Sequence, residues 1–181
     1  MDMIERTTAT KYEFKGRILN TRVDDVLLPD GSESKREIIE HSGGVGVIAL
    51  TDDDRICLVR QYRHPYGEII YEIPAGKLES GEDPLACGKR ELSEEAGYTA
   101  ENWQSLGVVY PTPAYCSEKI YVYLATNLTK GDSHLDQGEF VESVTLPLKE
   151  GVQMVMSGEI KDAKTQIAIL KVLAMKEANQ I

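Results

Sequence analysis

The stretch from Gly76 to Tyr98, GKLESGEDPLACGKRELSEEAGY, constrains this chain more than any other. Asp83 suits a helix N-cap, and Pro84 suits the first helical position, where no amide partner is needed. Gly97 suits a left-handed stop. The predicted helix therefore runs from about Pro84 to Ala96. Leu85, Gly88, Leu92 and Ala96 fall on one small apolar face. Glu91 and Glu95 stand one turn apart beside that face, Glu94 is offset around the helix, and Arg90 is in register with Glu94 at i,i+4. A charged helix ordinarily presents a solvated face held by ion pairs. Here three carboxylates crowd within five residues, with Glu82 just upstream. Like charges that close are unfavourable unless something cationic sits between them. A hard divalent cation such as Mg²⁺, which takes oxygen ligands, meets that need.

The chain has 181 residues, enough for one domain with a sizeable core and a small appendage. Its net charge of −10, with no basic stripe, argues against a nucleic-acid partner. No signal peptide and no apolar run near 18 residues are visible, so a cytoplasmic enzyme without a membrane partner is the expectation. Cys57, Cys87 and Cys116 are odd in number and share no metal-type spacing. Cys57 and Cys87 are expected as buried free thiols, and Cys116 lies in a loop without a suggested partner histidine.

Residues 1–11 read as polar and partly loose. Strands are expected from Tyr12 to Leu19, Thr21 to Leu28 and Lys35 to His41, with a turn at Pro29-Asp30-Gly31. Residues 1–42 thus form a small antiparallel β module, which three strands alone barely stabilise and which should pack on something else. Beyond the Gly43-Gly44 break, strands are expected at Val45–Leu50, Arg55–Tyr62 and Glu68–Ile73, the last feeding Pro74-Ala75-Gly76. The run Asp52-Asp53-Asp54 reads as a solvated turn. Arg60, Arg63 and His64 form a basic cluster, read either as surface ion pairing or as a phosphate clamp using arginine's forked donors. Arg63 leans to the second. After the helix, strands are expected at Trp103–Val109, Lys119–Thr126 and Phe140–Leu148. Helices follow at Leu148–Met156 and from Asp162 to about Glu177. Trp103, Met154 and Met156 read as packing residues. Two loops stand out: Tyr110 to Glu118, stiffened by prolines, and the acidic Leu135 to Phe140.

The Gly76–Tyr98 stretch resembles the Nudix box, Gly-x5-Glu-x7-Arg-Glu-U-x-Glu-Glu-x-Gly-U, with U a bulky aliphatic residue. Gly76, Glu82, Arg90, Glu91, Leu92, Glu94, Glu95 and Gly97 fall in register, and Tyr98 departs at the last U. The resemblance implies an α/β fold, an α/β/α sandwich around a mixed sheet, spanning residues 43–181. The upstream strands are similar to the N-terminal module of the ADP-ribose pyrophosphatase branch, which implies a homodimer formed through residues 1–42. Pro113, sixteen residues past Gly97, matches a marker of that branch. Ala114 stands where a glycine is commoner.

Residue by residue, the resemblance implies metal ligation by Glu91, Glu95 and the Ala75 carbonyl, with Glu94 completing the cluster or holding a bridging water. It implies that Arg90 orients the glutamates, and that Glu82 is structural or a more distant ligand. Arg63 would contact a diphosphate. Glu37, Lys77, Thr112, Pro113, Ala114 and Glu118 would lie around substrate, joined by Arg60 if its basic cluster is the phosphate clamp. In the late loop, Asp136-Gln137-Gly138-Glu139, relatives often carry acidic residues at the positions of Gln137 and Glu139. An amide cannot take a proton, so Glu139 is the candidate for general base or further metal ligand. Tyr12 and Phe14 are candidates to stack on a nucleobase. The expected activity is hydrolysis of ADP-ribose to AMP and ribose 5-phosphate with Mg²⁺, or alternatively Mn²⁺. Competing expectations are another nucleotide sugar or a nucleoside triphosphate as substrate, and a non-catalytic ligand sensor.

Overall fold

The computed structural model describes residues 2–135 and 138–181. The chain divides into two compact units, Met1–Gly43 with Tyr110–Lys119, and Gly44–Val109 with Ile120–Ile181.

The first unit is an antiparallel sheet of β1 (Arg6–Lys15), β2 (Leu19–Leu27) and β3 (Glu33–His41), in that spatial order. β1 begins at Arg6, where a loose segment was expected, because Thr7 to Thr10 supply β-branched residues and β2 is long enough to pair with them, Arg6 opposite Leu27 and Thr7 opposite Val26. The β2–β3 turn forms at the expected residues: Gly31 takes a φ of 84°, and the Asp30 carboxylate accepts from the Ser32 amide. Asp24, buried in the central strand, is matched by Arg22 Nη1 at 2.5 Å and by the Thr10 hydroxyl at 2.8 Å. The segment Tyr110–Lys119 docks on β3, with the Ile39 amide donating to the Tyr115 carbonyl and the Ser117 amide to the Ile39 carbonyl.

The second unit is built on a mixed sheet. β4 (Gly44–Leu50) lies at its centre, antiparallel to β5 (Arg55–Arg63) and parallel to β9 (Ile120–Lys130). β10 (Val141–Pro147) and β6 (Glu68–Glu72) pair with β5, β7 (Ala75–Lys77) with β4, and β8 (Tyr98–Val109) with β9. Every residue of β4 is buried, and its alternation sorts the two cores. Val45, Val47 and Ala49 join Cys87, Leu92 and Ala96 of α1 (Pro84–Ala96). Ile48 and Leu50 join Leu148, Met154, Val155, Ile169 and Val172, from α2 (Leu148–Ser157) and α3 (Ala163–Glu177). A sheet apolar on both faces needs a helical layer on each, and the α/β/α sandwich follows.

Three boundaries differ from expectation. β7 is a short strand where only a turn was expected, because Ala75, Gly76 and Lys77 pair with Gly46, Val45 and Gly44. β8 starts at Tyr98 rather than Trp103, and β9 runs on to Lys130, because a long ladder from Tyr98–Lys130 to Val109–Ile120, shifted once between Ser105 and Gly107, overrides the weak strand propensity of Ala100, Glu101 and Asn102. All three cysteines are free; Cys57 and Cys87 are buried and Cys116 is partly so.

α1 is delimited as its sequence dictates. The Asp83 carboxylate accepts from the Ala86 amide at 2.9 Å, and Gly97 adopts φ 67° and ψ 28°. A Cβ at Gly97 would stand 2.8 Å from the Gly131 carbonyl oxygen and 2.9 Å from the Ser133 amide nitrogen. Both neighbours are backbone, so the chain itself must shift. Gly97→Ala combines that clash with a left-handed conformation costing about 1–2 kcal/mol for an L residue. The expected result is a melting temperature lower by roughly 5–10 °C, read by calorimetry. An unchanged melt contradicts this account of the cap.

Candidate active site

The site begins at the end of β6, where Glu72 and Ile73 lead through Pro74 into β7, and is completed by the acidic side of α1. The i,i+4 spacing places Glu91 and Glu95 on one side of the helix, with Glu94 around from them. Arg90 lies among the acids. Its Nη1 donates to Glu91 Oε1 at 2.7 Å and to Glu94 Oε2 at 3.0 Å, and Nε and Nη2 each reach Glu82 Oε1 at 3.2 Å. One planar fork thus fixes three glutamates. Burial opposes the Arg90 charge, but hydrogen bonds to Glu82 and the nearby Glu91 more than compensate, and its pKa rises above the usual arginine value. Glu82 is held below its usual value by the Glu79 amide and by Arg90.

Glu95 is only 6 % exposed. Its Oε2 accepts from the Ala75 amide at 2.8 Å, which joins the helix to β7. Burial pushes its pKa up to about 7; the Ala75 hydrogen bond works the other way, and the Glu91, Glu139 and Glu72 carboxylates add to the rise. Burial also raises Glu91, against the pull of Arg90, with Glu94 and Glu139 raising it further. Glu139 therefore lies within electrostatic reach of both helix carboxylates. Asp136 and Gln137, the neighbours weighed beside it, lie outside the described residues.

Among the described residues no three His, Cys, Asp or Glu side chains converge tightly enough to hold a metal ion as they stand. The reason is visible: Glu91 and Glu94 turn onto Arg90, and Glu95 onto the Ala75 amide. The donor chemistry nevertheless fits a hard divalent cation. The available groups are all oxygens, and burial together with neighbouring carboxylates raises the pKa of Glu91 and Glu95, so a cation there would relieve charge held away from water. Space is made at Gly76, where a Cβ would sit 1.8 Å from Glu91 Oε1.

Arg63, at the end of β5, makes a two-pronged pair with Glu72, Nε to Oε1 at 2.5 Å and Nη2 to Oε2 at 2.8 Å. Glu72 is 1 % exposed and also accepts from Lys164. Arg60 is ion-paired too: Nη1 reaches Glu142 at 2.8 Å, and the guanidinium lies 5.4 Å from the Tyr71 ring centroid. Lys77, on β7, is exposed, and its carbonyl accepts from the Cys87 thiol. Burial, with the Glu82 charge next, lifts that thiol to about 12, which makes Cys87 an inert packing group.

The remaining candidates belong to the first unit. Glu37 lines a cavity of about 320 Å³ with Thr21, Arg22, Ile39 and Tyr115. Pro113 and Ala114 are exposed in a turn closed by the Tyr115 and Cys116 amides on the Thr112 carbonyl. Glu118 Oε1 stands 3.3 Å from His41 Nδ1. The Tyr12 hydroxyl donates to Glu40 at 3.2 Å, and Phe14 is exposed. Sequence reasoning missed Glu72, Lys164 and Thr165 as supports of the site. Glu72 looks like an ordinary strand residue in EIIYE, and nothing local links it to residues more than ninety positions later.

A box of this geometry on an α/β/α sandwich defines a class of metal-dependent phosphoanhydride hydrolases. Residues 40–165 match the NUDIX domain, and residues 5–39 match the nucleoside diphosphate sugar hydrolase N-terminal domain. The chain belongs to the Nudix family. It is 43 % identical to the ADP-ribose pyrophosphatase of Bacillus subtilis (strain 168), over 97 % of this chain and 96 % of the relative. It is 44 % identical to the methanol dehydrogenase activator of Bacillus methanolicus, over 96 % of this chain and 95 % of that one. A crystal structure of an ADP compounds hydrolase superposes with a TM-score of 0.84 at 20 % identity, covering 98 % of this chain and 97 % of its own, and supports the fold. Among the described residues, no helix is long and apolar enough to cross a membrane.

Proposed function

We propose that this chain hydrolyses ADP-ribose to AMP and ribose 5-phosphate with Mg²⁺ as its divalent cation. The observation that carries the reading is Glu91 and Glu95 on one side of α1, within electrostatic reach of Glu139 and beside an intact Arg90 fork. Full-length similarity to a relative named ADP-ribose pyrophosphatase supports the substrate. Glu91, Glu95 and the Ala75 carbonyl are the groups to hold the cation, with Glu94 and Glu139 completing the set. A divalent cation bound there neutralises diphosphate charge and acidifies a water molecule.

The chain's own residues do the rest. Arg90 keeps Glu91 and Glu94 from swinging into solvent. Glu139 accepts a proton as water attacks phosphorus and the bridging P–O bond breaks. Arg63 spends Nε and Nη2 on Glu72, which leaves Nη1 to stabilise charge on the diphosphate oxygens. Glu37, Lys77, Thr112, Pro113, Ala114 and Glu118 are proposed substrate contacts on the strength of the resemblance, as is homodimerisation through residues 1–42, and Arg60 is proposed as a further contact on the phosphate-clamp reading of its basic cluster. All ten residues of β1 are exposed, Tyr12 and Phe14 among them, which supports pairing of that module with a second copy. A cytoplasmic location completes the proposal.

Incubation with ADP-ribose and Mg²⁺ should give AMP and ribose 5-phosphate in equal amounts. The same assay on other nucleotide sugars and on nucleoside triphosphates should give slower turnover. Tight binding of ADP-ribose without hydrolysis of any of these compounds would identify a sensor instead and overturn the reading.

A further inference from the structure

Four charged side chains meet where α3 begins. Lys164 Nζ contacts Glu72 Oε2 and lies 3.1 Å from Asp162 Oδ1; the same Glu72 carboxylate holds Arg63 in its two-pronged grip. Lys164 is 8 % exposed and Glu72 is 1 % exposed. Beside them the Thr165 hydroxyl accepts from the Ile73 amide at 2.8 Å, and the Asp162 carboxylate accepts from both the amide and the hydroxyl of Thr165. The start of α3 therefore grips the backbone two residues before Ala75, whose amide in turn holds Glu95.

Stability alone does not account for this arrangement. A buried ion pair ordinarily gives no more stability than well-packed apolar residues of the same volume. What it does supply is a fixed geometry and a defined charge. With Lys164 present, the charges of Arg63, Lys164, Glu72 and Asp162 cancel. Without it the group is net negative, next to a site that must receive a diphosphate.

We propose that Lys164 is a positioning residue for catalysis: through Glu72 it fixes the Arg63 guanidinium and keeps its charge available to the substrate's phosphates. This rests on the ADP-ribose reading for the role of Arg63. It differs from that reading in placing a determinant of turnover on α3, far in sequence from the Nudix box. A guanidinium displaced by about 1 Å costs on the order of 10²-fold in rate, so Lys164→Met should lower kcat/KM by roughly that factor. Lys164→Arg, which restores the charge, should recover most of the loss.

The test is a double-mutant cycle with Arg63→Gln. If Lys164 acts through Arg63, Lys164→Met costs less than about 2-fold once Arg63 is gone, since the two losses describe one interaction. Equal losses in both backgrounds overturn the proposal, because Lys164 would then act on the fold and not through Arg63. Should Lys164→Met fail to fold, Lys164→Gln, which keeps a hydrogen-bond donor, replaces it in the same cycle. Wild-type turnover is measured first, and its absence counts against the ADP-ribose reading. The cycle is then read on the Kd for ADP-ribose in the presence of a chelator, and additivity there overturns the positioning role on its own.

Discussion

Glu95→Gln should lower the proposed ADP-ribose hydrolysis by about 10³-fold, the scale of loss expected when one preorganised electrostatic contact to the reacting groups is removed. Melting of the metal-free variant at pH 7.5 should be unchanged or move upward. The two halves of this result have one cause. Glu95 lies 6 % exposed among Glu91, Glu139 and Glu72, and its pKa rises from the ordinary 4.5 to about 7. The folded state therefore binds a proton more tightly than the unfolded chain does. This group's favourable contribution is fully present below about pH 4.5 and is lost as pH rises through about 7, where carrying the charge costs about 3 kcal/mol. Glutamine removes that cost and keeps an acceptor for the Ala75 amide. In a chelator, the wild-type melting temperature should fall between pH 4.5 and 7 more steeply than that of Glu95→Gln. A cation that binds only the folded state should stabilise the wild type by about 2.7 kcal/mol at a hundredfold excess over its Kd, raising its melting temperature, and leave the variant nearly unmoved. A large drop in the variant's melting temperature at neutral pH would mean that Glu95 is a structural brace rather than a ligand.

Gly76→Ala is the smallest substitution expected to disable the site without touching an acid. A Cβ at Gly76 would lie 1.8 Å from Glu91 Oε1, 2.0 Å from Cδ and 2.6 Å from Cγ. The atoms it meets form the end of a flexible side chain, so the backbone stays and Glu91 leaves. Rotation of Glu91 takes it from Arg90 Nη1, now 2.7 Å away, and from its place beside Glu95. Misplacement on this scale is worth roughly 10²-fold in rate, with stability within about 1 kcal/mol of wild type. Steady-state kinetics with a cation titration checks it. The variant should need more metal for half-maximal rate, and an unchanged metal requirement would show that the glycine serves only the β7–β4 pairing.

These two variants also separate what could be read locally from what could not. That Glu91 and Glu95 share a side of one helix follows from their spacing, and the need for a cation follows from their crowding. That Gly76 faces Glu91 across fifteen positions was legible only as a shared motif position. Its steric reason appears once β7 pairs with β4 and lies against α1. Arg63 was expected at a diphosphate, and the structure adds the carboxylate that holds it. Glu72 carried no signal, since an acidic residue ending an EIIYE strand is ordinarily solvated, whereas here it is nearly sealed between β5 and α3. The N-terminal segment went the other way. Arg6 to Lys11 look too polar for a strand when read alone, yet they pair with β2, with one irregularity at Thr8.

By itself the sequence determined the helix from Pro84 to Ala96, its caps at Asp83 and Gly97, the spacing of its acids and the apolar run that becomes β4. Each of these depends on residues within about four positions of one another, or on an alternation that one strand carries alone. Only the tertiary structure decided how deeply Glu95 is buried, which carboxylates surround it, where β1 begins, and that α3 returns Lys164 and Thr165 to the end of β6. Those outcomes depend on surfaces removed from water and on partners brought together from distant parts of the chain. No local pattern encodes how far a carboxylate will be desolvated, and desolvation is what raises Glu95 to about 7.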